Sequence, residues 1–203
     1  MDKKRDKKCL QVFAKTPIKG QVKTRLIADL GEEGAYEAYK QLLEKSLTLA
    51  TQSIYQTELW CHPNQQHTYF KQAASKHTLN LHDQCGDDLG ERMHFAMQNA
   101  LQTKEAVVLM GCDCPALTKD YINLAFEALQ LADVVLGPAE DGGFVLIGCK
   151  KTAPLMFKEV TWGESSVLDS TLVSLQQCGL THHLLPTLWD VDILSDYQRW
   201  QAI

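Results

Sequence analysis

The stretch from Val107 to Thr118, VVLMGCDCPALT, constrains the fold of this chain more than any other. Val107, Val108, Leu109 and Met110 run on without polar alternation, which suits a strand buried on both faces of a parallel sheet. Gly111 ends the run, and Cys114-Pro115 cannot continue a ladder because proline has no N–H to donate. Thr118 is a good cap for a following helix. Asp113 therefore belongs just past the carboxyl end of a central strand, where open α/β sheets bind ligands. A carboxylate there either holds a divalent cation that in turn holds phosphates, or caps the loop that follows.

The rest of the chain repeats this grammar. Short apolar runs at 10–13, 58–61, 79–82, 133–138, 144–147 and around 182–185 predict strands, with His182 and His183 alternating in and out. Between them, 32–53, 65–77, 119–131 and 166–178 have helical periodicity. Asp88 and Glu91 have capping-box spacing for a further helix that buries Leu89, Met93, Ala96, Met97, Ala100 and Leu101, and Ser195 is placed to cap the last one. The order is βαβαβαβαβ, a hairpin-like return, and a final βα unit. It predicts one α/β domain over residues 9–203 with a mostly parallel sheet flanked by helices.

Charge narrows the partners. The net charge is -5, and residues 1–8 carry five Lys/Arg beside two Asp, so the body is more acidic still. That argues against a nucleic-acid-binding face and makes basic residues elsewhere informative. Residues 1–8 are expected to be a disordered basic tail. No run approaches the roughly 20 apolar residues of a membrane-spanning helix, and no secretory signal is recognisable, so the expected location is cytoplasmic. The seven cysteines contain no C-x-x-C pair, which disfavours zinc knuckles and redox motifs.

The first strand is followed by four cations, Lys15, Lys19, Lys23 and Arg25, in a loop shaped by Pro17 and Gly20. With backbone N–H groups at a helix start, Lys23 and Arg25 would make an anion site; otherwise the loop is a solvated basic surface. The spacing is neither that of a Walker loop nor of a dinucleotide fingerprint. Asp87 and Arg92 lie near a helix cap on the edge where loops converge, as surface pair or ligand contacts. Glu140-Asp141-Gly142-Gly143 reads as a hairpin turn or as a ligand-facing loop, because its glycines allow a close backbone approach. Trp162 either packs or stacks on a substrate, and Asp190-Val191-Asp192 supplies a second carboxylate pair. A basic loop with two carboxylate stations is what transfer from a nucleotide requires, since cations neutralise phosphate and leaving-group charge.

Six segments carry a resemblance: FAKTPIKGQVKTRL, GDDLGERM, GCDCPALT, VVLGPAEDGGF, TWGESSVL and DVDILSDY, in that order. Together they resemble the GT-A-type nucleotide-diphospho-sugar transferases often labelled arsenosugar-biosynthesis glycosyltransferases, over about residues 10 to 197. The first loop, with Lys15 and Lys23-Thr24-Arg25-Leu26, is also similar to that of 2-phospho-L-lactate guanylyltransferases. The resemblance implies a Rossmann-like GT-A fold and an Mg²⁺ or Mn²⁺ cofactor. It places Lys15, Gly20, Lys23, Thr24 and Arg25 in the nucleotide-phosphate loop, and Asp87, Gly90 and Arg92 near nucleobase and ribose. It makes Asp113 the metal aspartate, with Asp192 as second ligand, and Asp113, Lys23 and Arg25 the catalytic set. Glu140, Asp141, Gly142, Gly143 and Trp162 are then substrate-binding candidates.

The implied partners are a nucleotide or nucleotide sugar and a small acceptor. Phe144 stands where that family has Tyr, and Gly111-Cys112-Asp113-Cys114 offers one carboxylate where many glycosyltransferases have D-x-D. Nucleotidyl transfer from a triphosphate, with pyrophosphate release, is therefore the alternative to sugar transfer. A non-catalytic nucleotide-binding module is the second.

Overall fold

The central strand is buried as its sequence requires. In the computed structural model, which describes residues 7–203, all five residues of β4 (Ala106–Met110) are inaccessible to solvent or nearly so. Val108 and Met110 join the core on one face of the sheet, and Val107 and Leu109 the core on the other. That alternation is why the run carries no polar residue: either face would bury it.

Around β4 the sheet has seven strands in the order β3-β2-β1-β4-β6-β5-β7. They are β1 (Lys8–Lys15), β2 (Gln56–His62), β3 (Asn80–Asp83), β5 (Val134–Pro138), β6 (Phe144–Cys149) and β7 (His182–Leu184). All neighbouring pairs are parallel except those made by β6, which runs antiparallel to both β4 and β5. The mostly parallel sheet and the hairpin return match the expected order. On one face, α1 (Ile27–Thr51), α2 (Thr68–His77) and α4 (Lys119–Ala128) contribute Leu43, Leu47, Phe70, Ile122 and Phe126 to the core. The opposite face packs Met93 and Met97 of α3 (Leu89–Leu101) and Leu175 of α5 (Val167–Gln177) against Phe13, Trp60 and Ile147. The closing α6 (Leu194–Gln201) rests Tyr197 and Trp200 against a smaller cluster containing Leu26, Trp189 and Val191.

Several local expectations need correction. The helix expected over 32–53 is the continuous part of α1, and what the expectation lacked is a leading turn from Ile27, set off by Gly31 at φ 69° and ψ 170°. The expected disordered tail falls largely on residues 1–6, outside the described residues; Lys7 is a turn that pairs with Glu105, and Lys8 already belongs to β1. Leu89 is exposed at the start of α3 because the helix begins there, before its apolar face meets the sheet. His182 and His183 are both exposed, since β7 is an edge strand with a partner on one side. Ser195 does not cap α6. It lies inside the helix, and Asp196 braces the entry instead, its carboxylate accepting from the backbone N–H groups of Asp192 (3.1 Å) and Ile193 (3.0 Å).

Two predicted caps are made. The Asp88 carboxylate accepts from the Glu91 N–H at 2.8 Å, and the Thr118 hydroxyl from the Tyr121 N–H at 3.1 Å. Thr118→Ala is expected to lower stability by about 1 kcal/mol, the usual worth of such a cap. A urea titration should show a lower midpoint with an unchanged slope.

Candidate active site

Six chain segments reach the carboxyl edge of the sheet and enclose a cleft of about 630 Å³. The loop after β1 supplies Lys15, Lys23, Thr24 and Arg25, and the start of α3 supplies Arg92. The β4 exit supplies Asp113, and the β5–β6 turn supplies Asp141 and Gly143. Trp162, Asp190 and Asp192 close it. The antiparallel run of β6 matters here. It puts the β5–β6 turn, and Phe144 at the strand's start, on the same edge as the exits of β1 and β4.

At the centre lies the side chain of Lys23, only 7% exposed. Its ammonium donates to Asp113 Oδ2 at 3.0 Å and lies 3.9 Å from Asp192 Oδ1, while Arg25 pairs with Asp192 Oδ2. Burial alone would depress the Lys23 pKa, but Asp113 and then Asp192 outweigh it and the net direction is upward. Asp113 mirrors this. Burial raises its carboxyl pKa, but the charge and hydrogen bond of Lys23 bring it below the ordinary carboxylate range. Lys23 also sits in left-handed conformation, φ 45° and ψ 46°, just before a short 3-10 turn at Thr24–Leu26. That conformation costs a non-glycine residue roughly 1–2 kcal/mol, and the buried ion pairs hold it in place.

Asp113 and Asp192 meet through the backbone. After β7 the chain runs beside the end of β5, with Leu188 N–H donating to Pro138 O and Glu140 N–H to Leu188 O, each at 2.9 Å. Val191 N–H then donates to Asp113 O at 3.0 Å, bringing the 190–192 carboxylates onto the β4 exit. Burial, followed by the charges of Asp113 and Asp141, pushes the Asp190 carboxyl up to about 7. Cys112 and Cys114, either side of Asp113, are buried thiols pushed up to about 12, so they stay protonated and are poor metal ligands.

A third of the expected site residues stand away from the cleft lining. Gly20 shapes the first loop at φ 75° and would present a Cβ to the Glu32 carboxylate. Gly90 is a packing residue, since a Cβ there would lie 2.6 Å from Phe157 Cβ and 2.9 Å from the Trp162 ring. Glu140 pairs with Arg199 of α6. Gly142 makes a close backbone crossing, where a Cβ would come within 2.1 Å of Ser165 O. Asp87 uses its backbone: its N–H donates to Glu91 Oε2 and its carbonyl accepts from Arg92.

Sequence reading missed three cleft residues. Tyr39, within the helical segment 32–53, donates its hydroxyl to Lys15 O and accepts from Lys15 N–H, both at 2.8 Å. It thereby fastens the end of β1 to α1. His62 is the register partner of Lys15 on β2, and Gln84 donates to Trp60 O at 2.9 Å. Only strand pairing reveals the Lys15–His62 contact.

Among the described residues, no three His, Cys, Asp or Glu side chains form a ready-made metal cage. The donor set nevertheless fits a hard cation. Asp113 and Asp192 already converge on one positive charge, and the Asp190 carboxyl, raised first by burial and then by the charges of Asp113 and Asp141, lies beside them. Mg²⁺ is commonly held by one or two carboxylates with substrate phosphates completing its shell.

Comparison with known proteins bears on this geometry. The family profile described as "Uncharacterized protein conserved in bacteria (DUF2064)" matches residues 43–164. A candidate nucleotide-diphospho-sugar transferase from Desulfovibrio desulfuricans G20 superposes with a TM-score of 0.88 at 31% identity, over 96% of this chain and 86% of that one. The chain belongs to the DUF2064 family. Members of wider families share the fold at lower identity. A cytidylyltransferase from Leptospira borgpetersenii has a TM-score of 0.61 at 12% identity, over 97% of this chain and 86% of that one. Glucosyl-3-phosphoglycerate synthase from Mycobacterium tuberculosis, solved with Mn²⁺, UDP and glucosyl-3-phosphoglycerate, has a TM-score of 0.56 at 8% identity, over 96% of this chain and 75% of that one. No curated protein matches the sequence. The DUF2064 chain thus has the Rossmann-like fold of nucleotide-dependent transferases.

The raised pKa of Asp190 makes stability depend on pH. Its folded value of about 7 exceeds the 3.8 of a free carboxyl, so between these values the native state holds more protons than the unfolded one. Stability then falls as pH rises through that window. Asp190→Asn should melt at a higher temperature than wild type at pH 8, in chelator, with the difference vanishing near pH 4. An equal difference at both values would assign the effect to packing.

Proposed function

We propose that this DUF2064 protein is a glycosyltransferase that takes its sugar from a nucleotide-diphospho-sugar, with a divalent cation on Asp113 and Asp192. The observation that carries this reading is the meeting of these carboxylates with Lys23 and Arg25 in one cleft at the carboxyl edge of the sheet. The similarity to the Desulfovibrio protein, at 31% identity, supports sugar transfer over the alternatives. When bound, the cation supplies charge neutralisation at the phosphate oxygens of the leaving nucleotide.

The chain's own residues do the remainder. Lys23 holds both carboxylates in register and keeps the cleft centre near electrical balance. Tyr39 fixes the backbone at Lys15, so the phosphate loop is held before ligand arrives, which lowers the ordering cost of binding. Trp162, packed edge-on to Phe144 at 6.2 Å between ring centroids, gives the cleft an aromatic wall beside Asp141 and Glu164. Such a wall suits the apolar face of a sugar ring, with the carboxylates accepting from its hydroxyls.

Nucleotidyl transfer is the second reading, favoured by the single carboxylate at the β4 exit and by the cytidylyltransferase fold. Products separate the two. Sugar transfer releases a nucleoside diphosphate, whereas nucleotidyl transfer releases pyrophosphate from a triphosphate. Acceptor-dependent pyrophosphate release would overturn the proposal in favour of the second reading.

Asp113→Asn tests the cation station. A hard divalent ion prefers charged oxygen ligands. The variant should therefore lose most of the Mn²⁺-dependent part of UDP binding, measured by calorimetry, with Asp192→Asn showing a smaller loss. Retention of full metal-dependent affinity by Asp113→Asn would reduce that residue to a partner of Lys23.

A further inference from the structure

The cations of the cleft divide into two groups. Lys23 and Arg25 are neutralised by Asp113 and Asp192. Lys15 and Arg92 have no carboxylate partner among the described ion pairs, yet both line the cleft. Their placement follows from strand register. Gln11, Phe13 and Lys15 of β1 pair with Glu58, Trp60 and His62 of β2, and successive alternate residues point to one face. Phe13 and Trp60 lie beneath Met93 of α3, so Lys15 and His62 form the next rung outward, towards the start of that helix.

Arg92 comes from that same start of α3. Its guanidinium is held in place by neutral groups: Nε donates to Gly86 O at 2.9 Å and Nη2 to Asp87 O at 3.0 Å. Held this way it keeps its full charge while losing little freedom on meeting an anion. His62 registers the neighbouring cations, for its pKa is lowered first by burial and then by Arg92 and Lys15.

We infer that Lys15, His62 and Arg92 form a phosphate-binding station beside the Lys23–Asp113–Asp192 centre, and that it takes a phosphate group without help from a metal ion. The inference rests on the transferase reading only for the source of that phosphate, which is either the nucleotide's own diphosphate or a phosphorylated acceptor. A fixed guanidinium with a lysine beside it offers charge-assisted hydrogen bonds to phosphate oxygens, each about twice as strong as a neutral one.

The test uses the full chain in chelator, with inorganic pyrophosphate titrated by calorimetry. Wild type is expected to bind it. Arg92→Gln and Lys15→Gln should each weaken binding about tenfold, as loss of one charge-assisted bond implies. Lys19→Gln, at a loop lysine paired with Glu33, should leave it unchanged. Lys15 is exposed and outside the core, so its variant keeps the test decisive if Arg92→Gln fails to fold. A second titration, glycerol 3-phosphate against protein saturated with UDP, identifies the source. Binding that persists and depends on Arg92 assigns the station to an acceptor phosphate; binding abolished by UDP assigns it to the nucleotide. Pyrophosphate that fails to bind without metal, or binds both variants as tightly as wild type, overturns the inference. Anion binding with no transfer product under any condition would overturn the proposed activity and leave this station standing.

Discussion

The ammonium of Lys23 is the interaction on which the cleft depends. Without it, Asp113 and Asp192 would bring like charges together in a partly buried place, a costly arrangement. With it, three chain segments far apart in sequence share one electrostatic centre. The strained backbone of Lys23 is affordable for the same reason, since the ion pairs over-determine its position. A divalent cation entering this centre would meet carboxylates already oriented for a positive charge.

The cleft around that centre takes its form from one inverted strand and one hydrogen bond. Had β6 run parallel to β4, Phe144 at its start would lie at the opposite edge of the sheet from the end of β5. As built, the hairpin delivers Asp141 and Phe144 to the edge where β1 and β4 end. The bond from Val191 N–H to Asp113 O then closes the ring, bringing the last carboxylates of the chain against the central one. Buried backbone groups demand partners, so this bond serves stability and site assembly together.

Charge across the cleft is graded. On the β6 side, burial first and then the charges of Asp113 and Asp141 push the Asp190 carboxyl up to about 7. Lys15 and Arg92 leave the β2 side positive enough to help lower the pKa of His62. The neutralised centre lies between them. A ligand that is anionic at one end and rich in hydroxyls at the other matches that gradient, and a nucleotide sugar has this form.

The elements were legible from local pattern. Burial on both faces dictated the apolar run of β4, and capping chemistry marked Asp88 and Thr118. The strand of Asp113 and the cations after β1 could be read because each belongs to a contiguous motif. Element ends were less legible, as at the leading turn of α1 before Gly31, and at Ser195, which lies inside α6 while Asp196 reaches back to the N–H groups of Asp192 and Ile193. Which cations remain free was not legible at all. Lys23 and Lys15 look equivalent in sequence, but one is spent on carboxylates at positions 113 and 192 while the other faces His62 across a strand pair. Gly90 and Gly142 likewise resembled ligand-facing glycines and proved to be close packing contacts. Sequence alone determined the order of strands and helices and the chemistry each loop carries, because periodicity and capping are local. Only the tertiary structure decided which charges meet, because ion pairing depends on distance in space and on burial.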